Sequence, residues 1–120
     1  MLKAINNELE NLGINYEFAE WTSEVKYPYF VGEYTELENF TEDNVEDIDF
    51  ILTGFTRGLY SDLEDIKNKI KKRFFNGVTV LYENKSVTIF YGNSLGGIPT
   101  GEFGLKKIEI ILKIKQCEVM

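Results

Sequence analysis

The sequence predicts an α+β fold, a mostly antiparallel sheet of about five to six strands with two helices packed on one face. Three observations carry this expectation. Two segments repeat apolar residues at helical spacing, and the remaining ordered stretches alternate apolar and polar residues as half-buried strands do. Their order along the chain is α-β-β-β-α-β-β-β, with no internal repeat and no linker. At 120 residues, the whole of 1–120 is expected to form one domain around one core.

The first helix is read from Leu2, Ile5, Leu9 and Leu12, with Gly13 where a left-handed glycine would stop it. Ile14, Tyr16 and Phe18 then alternate with polar neighbours as a first strand. YPYFVGEYTEL reads as the second strand, and Pro28, which has no N–H to donate, belongs at its start or on an edge. ENFTEDNVED is acidic and turn-forming, a solvated connection to a third strand, IDFILTGFTRG.

Ser61 and Glu64 fit a capping box ahead of a helix whose Leu63, Ile66, Ile70 and Phe74 share one face. Asp62, Glu64 and Asp65 in its first turn and Lys71, Lys72 and Arg73 in its last complement the helix dipole, and Asn76-Gly77 ends it. VTVLYE and SVTIFY form a strand pair around Asn84 and Lys85. In the long final strand, LKKIEIILKIKQCEV, Ile108, Ile110, Leu112 and Ile114 face one way and Lys107, Glu109, Lys113 and Lys115 the other. Ile111 is the exception, an apolar residue on the polar side.

The net charge of −7 argues against a direct, sequence-specific nucleic-acid binder or an anionic-membrane binder, either of which needs a basic face. The charge is also unevenly placed. Residues 1–50 hold thirteen acids and two lysines, a net −11, whereas residues 51–120 hold seven acids and eleven bases, a net +4. Such asymmetry lets copies of one chain attract each other, with Glu42, Asp43, Glu46 and Asp47 approaching Lys69, Lys72 and Arg73 of a neighbour. No apolar leader or run of membrane-spanning length is present, and the single Cys117 suits a reducing compartment, so a cytosolic protein is expected.

Chemistry is sparse. With no histidine, there is no imidazole base for a serine or cysteine nucleophile, and a lone cysteine makes no zinc site. The paired acids sit in a polar segment, and TEDNVEDID lacks the glycine and spaced ligands of an EF-hand. We therefore expect no catalytic residues, cofactor or metal. The segment GNSLGGIPTGEFG, residues 92–104, has five glycines in thirteen residues. Gly92 and Gly97 match the start of a phosphate-binding loop, but Ile98 and Pro99 stand where lysine and serine or threonine are required. What remains is a long hairpin loop whose Leu95, Ile98 and Phe103 either fold back as a lid on the core or, as we expect, stay mobile until a neighbour arrives, with Leu95, Gly96, Gly97, Ile98 and Phe103 as the contact residues.

The pattern resembles a family. An amphipathic helix, a strand opening with Tyr27, Pro28 and Tyr29, the strand-to-helix join at Gly54–Asp62 and the long last strand together are similar to the small tail-terminator or tail-completion proteins of tailed bacteriophages and prophages. The resemblance covers nearly the whole chain. It implies a non-enzymatic virion subunit that assembles in the host cytoplasm and sits on the tail. There it would form a ring, often hexameric, at the end of the tail tube, with tail-tube and head–tail connector proteins as partners. Such subunits can be monomeric until they meet their template. The competing reading is a monomeric acidic inhibitor, a DNA mimic or immunity-type protein whose acidic face blocks a basic site on a partner.

Overall fold

Helix α1 (Leu2–Asn11) forms where the apolar spacing predicts it, and it buries Ala4, Ile5, Glu8 and Leu9. Leu2 is partly exposed, and Leu12 packs at the margin of the core. The helix stops at Gly13, whose φ of 75° lets its N–H reach the Glu10 carbonyl at 2.9 Å while the Ile14 N–H reaches that of Leu9 at 3.0 Å. This pair of bonds is a Schellman closure, and it satisfies carbonyls the helix end would leave bare. The structure is a computed structural model describing residues 1–19, 24, 26–37 and 45–118. No helix among them is long and apolar enough to cross a membrane.

Strand β1 (Tyr16–Phe18) lies parallel to β2 (Tyr29–Glu36), which begins directly after Pro28, so the proline removes no ladder bond. Strand β3 (Val45–Thr56) starts earlier than the sequence suggested and takes in Glu46 and Asp47, which therefore do not belong to the connecting loop. Helix α2 (Tyr60–Phe74) begins one residue ahead of Ser61, and its N-cap is Leu59 with no side-chain cap. The capping box does not form. Glu64 instead pairs with Lys67 at 2.9 Å, and the Asp62 N–H bonds the Leu59 carbonyl at 3.0 Å.

Strand β4 (Val78–Tyr82) turns through Glu83 and Asn84, both at positive φ as a two-residue type I′ turn requires, into β5 (Lys85–Leu95). The final strand β6 (Lys106–Glu118) then enters the middle of the sheet, whose order is β1-β2-β3-β6-β5-β4. All pairs but β1–β2 are antiparallel, so the fold is α+β with a mixed, mostly antiparallel six-stranded sheet and two helices.

The core collects the inward residues of this alternation. Phe30, Ile48, Phe50, Leu52, Val87, Ile89 and the four apolar residues expected from β6 are buried together with Ile5, Leu9, Leu63, Ile70 and Phe74 of the helices. Ile66 is only partly buried. Two glycines make room for the largest rings. Phe30 lies over Gly54, and Phe50 lies over Gly32, where a Cβ would come within 2.6 Å of the ring.

Helix α2 rests on β3, β5 and β6, and α1 contacts β1. The helices are tied to each other by Arg73, whose Nε and Nη2 donate to the Glu8 carboxylate at 3.0 and 3.3 Å, and by Lys69, whose Nζ reaches the Leu12 carbonyl at 3.4 Å. A carboxylate on the apolar stripe of α1 thus has its charge answered inside the same chain.

Tyr16 is half-buried against Phe50, and burial pushes its phenol from 10.0 up to about 12. Because the folded pKa is raised, the contribution is intact below pH 10 and is lost as pH climbs toward 12, where only the unfolded chain ionises freely. Thermal melts across that alkaline window are expected to show a steeper loss of stability for the wild type than for Tyr16→Phe. Parallel curves would assign the alkaline loss to other groups.

Candidate functional site

The alternation of β3 places Arg57, the residue after its last position, on the same side as Thr53 and Phe55 and away from the buried Leu52, Gly54 and Thr56. The turn that follows is fixed by two bonds. The Gly58 N–H donates to Thr56 Oγ1 at 3.1 Å, and Lys106 Nζ donates to the Gly58 carbonyl at 2.7 Å. Arg57 is thereby aimed at the loop between β5 and β6.

Three acceptors meet its guanidinium. Nε donates to the Tyr27 hydroxyl at 3.2 Å, Nη1 to the Phe103 carbonyl at 3.2 Å, and Nη2 to the Glu102 carboxylate. These partners, the Tyr27 bond first and the Glu102 bond next, raise the pKa of the guanidinium further, so it remains charged. Tyr27 is tilted against Tyr29, which stacks on Phe55 at 5.2 Å. Arg57 thus joins β3, the start of β2 and the loop.

The glycine-rich segment divides. Strand β5 runs on to Leu95 through a register shift between Tyr91 and Asn93, so Gly92–Leu95 is strand and the loop proper is 96–105. Its far side is held by Tyr60, whose hydroxyl accepts the Gly97 N–H at 3.2 Å and lies so close to Gly96 that a side chain there would displace it. Thr100 Oγ1 lies 3.0 Å from the carbonyls of both Glu102 and Leu105. Gly97, Gly101 and Gly104 adopt positive φ. The loop therefore carries anchors that the sequence did not disclose. Between it and β6 lies an open depression of about 440 Å³, lined in part by Ile98, Pro99, Leu105 and Lys107.

These anchors hold apolar side chains outward. Phe103 is fully exposed, Leu59 is 71% and Leu95 61% exposed, and Tyr27 is also exposed. Ile98 is half-buried and Gly96 and Gly97 are exposed, and all five predicted loop residues lie between the last residue of β5 and the start of β6. Leu59 and Arg57 were not among the predicted contacts. The only sequence signal for Arg57 was a charged residue on the outer side of a strand end, followed by glycine.

Glu42 and Asp43 lie outside the described residues. Glu46 Oε2 accepts from Gln116 Nε2 at 3.1 Å, and Asp47 stands opposite Lys115. Of the basic residues, Lys69 and Arg73 are engaged with α1, and Lys72 is exposed. Among the described residues, no cluster of three or more acids and cysteines is placed to hold a metal ion. Neither a protein-family model nor a curated protein sequence matches the chain.

Proposed function

We propose that this protein is a structural, self-assembling subunit of a phage or prophage tail, a tail-terminator or tail-completion protein, and that the Arg57-held loop is its main contact surface. The observation that carries this reading is exposed Phe103 on a loop fixed by hydrogen bonds, with exposed Tyr27, Leu59 and Leu95 on or beside the segments that Arg57 and Tyr60 tie to that loop. Large apolar side chains gathered at one exposed end mark a binding surface. Fixing the backbone beforehand lowers the ordering entropy that association must overcome. The shared core and the Arg73–Glu8 bridge support placing both helices on one face of the sheet, which leaves this tip uncovered. Partners would be further copies in a ring, the tail-tube protein and the head–tail connector, with assembly in the host cytoplasm and residence in the virion tail.

The acidic-inhibitor reading lacks a comparable observation, since Asp49 is bonded to Lys113 at 2.8 Å and Asp47 faces Lys115, which interrupts an acidic face on β3. The test is a paired substitution, Phe103→Ser with Leu59→Ser. Because both side chains are exposed, the melting temperature should stay close to that of the wild type. Ring formation, viewed by negative-stain electron microscopy with and without the tail-tube protein encoded nearby, should be lost. Rings of normal abundance from the variant would remove the loop as the contact surface. Absence of tail genes around the coding sequence would argue against the tail assignment itself.

A further inference from the structure

Strand β4 is an edge of the sheet, and no described strand lies on its outer side. Its five residues, Val78–Tyr82, contain no charge, no proline and no bulge against β5, the devices that usually protect such an edge. The hairpin geometry decides which main-chain groups are free. A two-residue turn is closed by a hydrogen-bonded pair, here Tyr82–Lys85, and bonded pairs then recur at Val80–Val87 and Val78–Ile89. Thr79 and Leu81 occupy the alternate positions, so their N–H and C=O groups point away from β5. The 2.9 Å contact between the Thr79 and Thr88 hydroxyls agrees, because side chains approach most closely across a non-bonded pair.

We propose that β4 is a self-recognition strand, pairing antiparallel with β4 of a second copy across a two-fold axis at Val80. In that register Thr79 faces Leu81 of the second copy and Leu81 faces its Thr79. Each pair exchanges both main-chain hydrogen bonds, and every outward group of the two strands is used. A second copy is the occupant because the row is self-complementary, with no charged residue opposed to its own like. The same register lays Glu83, which also contacts Lys3 of its own chain at 3.5 Å, beside Gly77 of the other copy, just past the basic last turn of α2 with its exposed Lys72, so acid and base approach each other on both sides of the axis. Leu81 within the strand, 71% exposed, and Phe75 ahead of it, 65% exposed, supply apolar surface to cover. This contact is independent of the β5–β6 loop. It closes on itself at two copies, so it describes a dimer of free subunits rather than the ring.

The test is sedimentation velocity on the purified chain from low micromolar to submillimolar concentration, beside amide exchange. A concentration-dependent dimer is expected, with exchange at Thr79 and Leu81 slowing as the dimer forms. Leu81→Pro removes an outward N–H while leaving the β4–β5 bonds untouched, and Leu81→Lys places a charge on the edge. Each should weaken the dimer about tenfold or more, because the symmetry applies the loss to both copies, and each should leave the melting of the dilute protein nearly unchanged. Using both variants guards against a proline that disturbs folding. The proposal is overturned by a wild type that stays monomeric at submillimolar concentration, by a dimer that Leu81→Lys leaves intact, or by protection of these amides only when another protein is added. The Phe103→Ser, Leu59→Ser variant should dimerise normally, which separates this contact from the loop.

Discussion

Phe50→Ala is expected to lower the unfolding free energy by about 3–5 kcal/mol, the range for truncating a fully buried phenylalanine. The ring is inaccessible to solvent and fills the space over Gly32. It also lies 6.3 Å from Tyr16 and 6.4 Å from Phe18, so it connects β3 to the short parallel strand β1 across β2. Because Gly32 has no side chain to move into the gap, the cavity should persist rather than collapse, which places the loss toward the upper end. Urea titration followed by far-ultraviolet circular dichroism measures it. A loss below about 1 kcal/mol would show that the surrounding strands close up, contrary to this packing.

Gly54→Ala should be damaging in the opposite way, by overfilling. A methyl group there would lie well inside van der Waals contact of the Phe30 ring, which is itself buried against its neighbours. Overpacking of this kind typically costs about 1–3 kcal/mol, and a ring with no open direction favours the higher part of that range. The conformation of Gly54 is not left-handed, so the effect is steric and has a specific rescue. Adding Phe30→Leu to Gly54→Ala should recover part of the loss, a coupling that a double-mutant cycle reads directly. Strictly additive losses would mean that the two residues do not share this space.

Elements with strong periodicity were legible in the sequence. Ile108, Ile110, Leu112 and Ile114 are buried as their alternation requires, and Leu63, Ile70 and Phe74 form the inner stripe of α2. Partners were not legible, because alternation tells which side of a strand is buried but not what lies beside it. The parallel pairing of β1 with β2, and β6 between β3 and β5, depend on contacts between residues far apart in the chain. Local signals also lost to tertiary ones. Ser61 and Glu64 have the spacing of a capping box, yet α2 begins at Tyr60, whose hydroxyl holds Gly97.

The candidate site was half visible for the same reason. The glycines, Leu95 and Phe103 marked the loop, but the side chain that secures it, Arg57, is 46 residues from Phe103 in sequence and reads alone as an ordinary exposed charge. Glu8 was likewise unreadable. A carboxylate on an apolar stripe makes sense only once Arg73 is seen beside it.

The place of β6 in the sheet has a consequence for synthesis. It is synthesised after the other described strands, yet it occupies the middle of the sheet, pairing with β3 from Val45↔Cys117 to Thr56↔Lys106 and with β5 on its other side. Until it emerges, the β1–β2–β3 and β4–β5 strands share no ladder, and two long bare edges face solvent together with their unburied apolar residues. Closing that gap joins segments many tens of residues apart, a late and slow event for a growing chain. A stalled or shortened translation product would therefore be left as two half-sheets with adhesive edges. Such a product is a substrate for chaperones or for aggregation, whereas the finished chain can close its sheet.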